Sequence, residues 1–267
     1  GRPKSEAGAE RLRAINSTVS LASVAADLDG ELALELANTA DVSVDGTDNF
    51  GTRYVLKDAA VATDTPYVYG GAVGVHGTVL PVLPGVGPCL RCVADDLPMQ
   101  TETCDTVGLP GSVIPLVAAR QAAIALRLLI GDDVPSVLEA LNGWTGEARR
   151  IDLSAAHDAG CACCVERRFA YLDASAGDRA VSMCGRNSVH VRPSRQAAID
   201  LEALRSGLEA HGRFEALGGL VRGEFDREVG ESESAIGVMV FADGRAIVTG
   251  TTDTARARSI YAKYIGG

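Results

Sequence analysis

Two Cys-x-x-Cys pairs, Cys89-Leu-Arg-Cys92 and Cys161-Ala-Cys-Cys164, stand far apart in a chain of 267 residues. Each such knuckle sets two thiolates on one side of an ion, so two pairs can close a tetrahedral zinc site with four sulfur ligands. The separation is too long for a finger or a ribbon, and the ion would instead staple two distant segments. Any fold open to this chain must therefore bring residues 89–92 and 161–164 together. A structural zinc on Cys89, Cys92, Cys161 and Cys164 is the expectation, with ordinary buried or redox-active cysteines as the alternative. Cys163 is a substitute ligand. Seven cysteines with no basic-plus-apolar leader favour metal binding or catalysis over disulfides.

Between and before the knuckles the pattern alternates. Helical spacing covers residues 6–15, and a strand is expected from Thr18 to Ala26. GELALELAN reads as a short helix, DVSVD as a short buried strand, Tyr54 to Thr63 as a helix, and Pro66 to Tyr69 and Gly77 to Val82 as strands. Such alternation implies an α/β fold, a mostly parallel Rossmann-like sheet with helices packed on it. Residues 115–130, PLVAARQAAIALRLLI, form a helix apolar on most sides that is expected to be largely buried, and a strand follows near Ala148 to Leu153.

Beyond Val165 the character changes. Strands are expected at Arg168 to Leu172, Ser188 to Val191, Leu220 to Phe225, Ile236 to Phe241 and Arg245 to Gly250. They surround a helix at Arg195 to His211, and a last helix spans Thr254 to Tyr264. This reads as a second, smaller α+β domain, giving boundaries of 1–165 and 166–267.

A hydrophobic content of 46% supports a proper core, and aromatics at 4% leave it to Ala, Val, Leu and Ile. A formal net charge of -10 argues against general binding to nucleic acid or anionic lipid, whose phosphates it would repel. A small molecule or a protein is the expected partner. No window approaches the roughly 18 consecutive apolar residues of a membrane span, so the chain reads as soluble and cytoplasmic.

The stretch VDGTDNFGTR, from Val44 to Arg53, follows the DVSVD strand, and the carboxyl ends of strands are where open α/β sheets hold ligands. Asp45 and Asp48 could hold magnesium between them or beside a triphosphate, with Asn49 donating hydrogen bonds and Arg53 supplying charge. Equally, Asp45 could cap the strand turn and Asp48 the following helix. Cys104 lies in a polar loop before the long helix, open to a reading as a nucleophile or as an inert thiol. Cys184 reads as a packed core residue.

Taken in order and spacing, GRPKSEAGAERLRAINS, DVSVDGTDNFGTRYVLKDA, PYVYGGAVGVHGTVLPVLPGVGPCLRC, CDTVGLPGSVIPLVAARQAAIALRLLIG and the final Cys-x-x-Cys resemble the ThiF/MoeB/HesA adenylyltransferases, relatives of ubiquitin-activating enzymes. The resemblance covers residues 1 to about 165. It implies binding of ATP and magnesium and adenylation of the Gly-Gly terminus of a ubiquitin-like sulfur-carrier protein, in thiamine, molybdopterin or related sulfur transfer. It places Lys4 on ATP phosphate, Asp48 on magnesium, and Cys104 where some members link covalently to the carrier or a sulfur donor. The four paired cysteines become the structural zinc ligands, and a homodimer is the implied assembly.

MCGRNSVHVRP and FADGRAIVTGTTDTARARSIYAKYIG resemble the extension of longer bacterial ThiF-like proteins, whose role is either docking of a carrier or pathway enzyme or simply covering part of the main sheet. The family's glycine-rich phosphate loop would precede the position matched by Gly1. On that reading the isolated chain binds ATP weakly or not at all, and a truncated, non-catalytic zinc-containing binding module is the alternative.

Overall fold

A computed structural model describes residues 2–93, 108–173, 179–183, 187–193, 198–231 and 235–266. Cys104 and Cys184 lie outside these residues. The chain divides into two compact units, one formed by residues 28–176 and the other by residues 1–27 with 177–267.

The unit of residues 28–176 is built on a five-stranded sheet in the order β1-β2-β3-β4-β5. Its strands are β1 (Ser43–Val44), β2 (Tyr67–Val73), β3 (His76–Val82), β4 (Val137–Asn142) and β5 (Ala148–Asp152). Four of its helices are α2 (Gly30–Asn38), α3 (Phe50–Ala62), α4 (Leu90–Val93) and α5 (Val113–Leu129), and α6 (Ala170–Asp173) closes it. The expected α/β layering holds, and the sheet is mixed. β1 and β2 run parallel because α3 crosses between them. The pairs β2–β3, β3–β4 and β4–β5 are antiparallel, and in the first of these a two-residue turn at Gly74 and Val75 reverses the chain.

Successive residues of β2 and β3 feed opposite cores, as the two-residue period of a strand requires. Val68 and Val79 pack under α5 with Val117, Ile124 and Leu141. Tyr67, Leu80 and Val82 face the other way, onto Ala60 and Val61 of α3 and onto Cys89, Cys161 and Cys163. Gly77 allows the close approach of α5, since a Cβ there would lie 2.5 Å from Val117 Cγ2. The long helix is not buried on most sides: Val113, Val117, Gln121, Ile124 and Ala125 form its buried stripe, while Ile114, Leu126 and Leu129 are exposed. A helix lying on a sheet buries one face only.

The expected strand at Thr18 to Ala26 is absent: these residues form no strand and are mostly exposed. A strand needs a neighbour to accept its ladder, and no described strand runs beside this segment. The stretch from Arg168 to Leu172 is likewise not a strand. It runs into α6, whose Tyr171 N–H donates to Asp58 Oδ2 at 3.0 Å, a tertiary contact that local propensity does not register.

The other unit holds a six-stranded antiparallel sheet in the order β6-β7-β11-β10-β9-β8, with β6 (Arg179–Met183), β7 (Ser188–Arg192), β8 (Gly212–Leu217), β9 (Leu220–Val229), β10 (Ala235–Phe241) and β11 (Ala246–Thr249). α7 (Leu201–Leu208) and α8 (Thr254–Tyr264) pack Leu208, Ala257 and Ile260 against Val189, Val221, Ile236, Val238 and Val248. Asp200 and Asp253 cap these helices by accepting from backbone N–H groups of their first turns, which sets α7 shorter than the expected helix of residues 195–211. α1 (Lys4–Ile15) belongs to this unit, as does an ion pair between Asp27 and Arg192.

One ion pair in the first unit ties α5 to β4. Arg120 grips the buried Glu139 carboxylate through Nε and a terminal nitrogen at 2.7 and 2.5 Å, holding the Glu139 pKa below its ordinary 4.5. A depressed carboxylate pKa stabilises the fold above the ordinary value, and the effect is lost as pH falls through the lower folded value. Glu139→Gln is therefore expected to cost about 1–2 kcal/mol near neutral pH, and urea unfolding midpoints of the two proteins should converge as pH drops below 4.5.

Candidate functional site

The loop after β1 is held by its own residues. Asp45 is 1% exposed, accepts three hydrogen bonds, from the Thr47 N–H at 2.8 Å, the Thr47 hydroxyl at 2.7 Å and the Tyr67 hydroxyl at 2.7 Å, and forms an ion pair with Arg53, whose Nε lies 3.5 Å away. Burial, then the Asp45 charge, push the Tyr67 phenol well above its ordinary value, so it stays protonated and donates. Arg53 is buried too. Its terminal nitrogens donate to the Thr47 carbonyl at 2.5 Å and the Tyr69 hydroxyl at 2.9 Å, and its guanidinium stacks on Tyr69.

Asn49, rather than Asp48, caps α3, its Oδ1 accepting from the Thr52 N–H at 2.8 Å. Such a cap is worth about 1 kcal/mol. Gln121 of α5 completes the frame, donating from Nε2 to the carbonyls of Asp45 at 2.7 Å and Val68 at 3.0 Å. Gly70 makes room for that amide, as a Cβ there would lie 2.4 Å from it. The outcome is a loop in which Asp45, Asn49 and Arg53 hold the backbone while Asp48 is exposed, with no hydrogen-bond or ion-pair partner among the described residues. Lys4, exposed at the first residue of α1, belongs to the other unit.

The two knuckles meet as the sequence requires. Cys89, Cys92, Cys161 and Cys164 place their sulfurs within 4.8 Å of one another, with separations of 3.9 Å for Cys89–Cys92, 3.7 Å for Cys89–Cys161 and 3.5 Å for Cys92–Cys164. A zinc tetrahedron with bonds of about 2.3 Å has edges of about 3.8 Å, so the four sulfurs fit the ion. The site is half-buried, with Cys89 and Cys161 inside and Cys92 and Cys164 nearer the surface. The His157 ring nitrogen approaches Cys164 Sγ at 3.7 Å.

Cys163 is not one of the four. Its S–H donates to Asp58 Oδ1, 3.3 Å away. The neighbouring Cys163 side chain, with weaker help from backbone N–H groups and Lys57, outweighs burial and lowers Cys89 to about 4. Burial raises Cys92 and Cys164. Sequence reasoning missed Gln121, Tyr67, His157 and the Lys57–Asp58 pair, because none stands at a recognisable spacing from its partners. The one available signal was Lys57 itself, one of few lysines in a chain whose basic residues are nearly all arginine.

An α/β sheet with an aspartate presented beyond a strand end and a four-cysteine centre beneath it defines a class that the comparisons identify. The family model described as the ThiF family matches residues 1–163, and the chain belongs to that family. The sulfur carrier protein ThiS adenylyltransferase of Bacillus subtilis (strain 168) is 38% identical over 265 residues, covering 99% of this chain and 76% of that protein. The Escherichia coli (strain K12) protein of the same description is 33% identical over 165 residues, or 61% of this chain and 65% of that protein. The sulfur carrier protein adenylyltransferase of Thermus thermophilus is 36% identical over 142 residues, or 51% and 52%. The chain thus spans less than two thirds of the latter two. Among solved structures, E. coli MccB shares the fold, with a TM-score of 0.51 at 19% identity over 63% of this chain and 51% of that one.

Among the described residues no helix is long and apolar enough to cross a membrane. Metal analysis checks the cysteine assignment: Cys161→Ser is expected to lose the bound metal, whereas Cys163→Ser, which keeps a donor to Asp58, should retain one ion per chain.

Proposed function

We propose that this chain acts in a cytoplasmic adenylyltransferase that activates the Gly-Gly terminus of a ubiquitin-like sulfur-carrier protein with ATP. The observation that carries the reading is the isolation of Asp48 on a loop that its neighbours immobilise. A carboxylate held exposed on a rigid frame can meet a magnesium–triphosphate complex without reorganising. The names of the three relatives above, each a sulfur-carrier adenylyltransferase, support the same class. Magnesium bound at Asp48 would supply charge neutralisation at the phosphates.

In this reading Asp48 holds magnesium and Lys4 meets phosphate, while Arg53 and Asn49 act on the ligand by fixing the loop. The carrier's terminal carboxylate attacks the α-phosphate and pyrophosphate leaves. Positioning and electrostatics suffice for that displacement, since the attacking carboxylate is already ionised and needs no general base. Cys104 would serve a later covalent step, residues 1–165 form the adenylation region, and residues 166–267 dock the carrier or a pathway enzyme. A homodimer would cover the exposed Ile114, Leu126 and Leu129 of α5.

A second reading, a binding module without catalysis, draws on a groove of about 770 Å³ beside the knuckles, lined in part by Arg91, Arg167, Arg168 and Phe169. Its guanidinium groups, in a chain of net charge -10, would favour an acidic partner protein. Carrier-dependent ATP–pyrophosphate exchange by the full gene product separates the two. Exchange is expected, and Asp48→Ala should lower it about 100-fold or more while leaving carrier binding intact. Carrier binding with no exchange in the native protein would select the binding module.

A further inference from the structure

Lys57 is 0% exposed, and its neighbour on α3, Asp58, is 1% exposed. Lysine is almost never fully buried unless it is paired. The ammonium donates to Asp58 Oδ1 and stands 5.2 and 5.8 Å from the ring centres of Tyr54 and Tyr171. Asp58 also accepts from Cys163 Sγ at 3.3 Å and from the Tyr171 N–H at 3.0 Å. Cys163, itself 0% exposed, packs in one core with Cys89 and Cys161 and stands in the chain between the ligands Cys161 and Cys164. A buried path through Asp58 and Cys163 therefore joins Lys57 to the Cys161–Cys164 knuckle.

Charge decides what this path is for. Lys57 and Asp58 alone form a neutral pair. Four thiolates around a divalent ion keep a net charge of about −2, and Cys89 and Cys161 are only 1% and 3% exposed. Water screens that excess poorly on the buried Cys89 and Cys161 side, so a fixed cation there is favoured. Burial acts to lower the lysine's pKa, yet the Asp58 carboxylate leads the effects that oppose it, and the ammonium is held above its ordinary value.

We propose that Lys57 is the counter-cation of the four-cysteine metal centre, anchored by Asp58 and coupled to the ligand set through Cys163. Metal loading and the seating of α3 on the knuckles are then one event. Nothing in this depends on adenylyl transfer.

Cobalt(II) is the probe. The metal-free full chain is titrated with it, uptake is followed by thiolate-to-cobalt charge-transfer absorption, and affinity is set by competition with a chelator. Lys57→Met is expected to weaken binding about 10-fold or more, the loss typical of a group supporting metal ligands. The double variant Lys57→Met/Asp58→Asn leaves no buried carboxylate without its cation, and its affinity should stay low. Recovery of native affinity in the double variant would mean that Lys57 serves Asp58 alone, and the proposal would fall. It would fall equally if the single variant bound cobalt as the native chain does, or if the native chain took up none. Should the single variant not fold, the double variant, read alone, decides in the same way.

Discussion

The convergence of four sulfurs from two distant segments is the constraint on which the first unit depends. Cys89, Cys161 and Cys163 are part of the core beneath the sheet, in contact with Ala60 and Val61 of α3 and with Tyr67 and Leu80 of the strands. Without an ion, four thiols held this close would gain little from one another. With an ion their deprotonation and convergence become folding free energy. The knuckles thus form a floor on which α3 rests, and α3 carries the aspartate loop at its N-terminus.

From that floor the chain of support is short. α3 begins at the Asn49 cap, Arg53 one turn later reaches back to Thr47 and Asp45, and Tyr67 rises from β2 to the same carboxylate. Gln121 closes the frame from the opposite face of the sheet. The division of labour between two aspartates three positions apart is a matter of depth. Asp45 lies inside, where an unpaired carboxylate would be costly, and Thr47, Tyr67 and Arg53 satisfy it. Asp48 lies outside, where its charge remains available.

Much of this organisation was legible in the sequence. The bounds of α2 and α8 are those read from helical spacing, and β1, β3 and β5 fall where alternation placed them, because each carries its own caps or period. The zinc quartet followed from knuckle chemistry. What failed were segments whose state is set by neighbours rather than by their own residues. Thr18 to Ala26 has strand composition but no ladder to join, and Arg168 to Leu172 was drawn into a helical turn whose Tyr171 N–H meets Asp58. The long α5 looked apolar all round, and only its contact with the sheet settled which stripe is buried.

The sequence by itself determined the ligand chemistry: which residues are thiolates in knuckles, which aspartates end a strand, and which family their order belongs to. Spacing along the chain carries that information because knuckles and caps are local geometries. Tertiary structure alone decided the roles within those sets. It made Asp45 and Arg53 a buried frame, gave the cap to Asn49, turned Cys163 from the ligand set toward Asp58, and buried Lys57 beside it. Burial and long-range partners fix these roles, and both arise only when segments remote in sequence pack against each other.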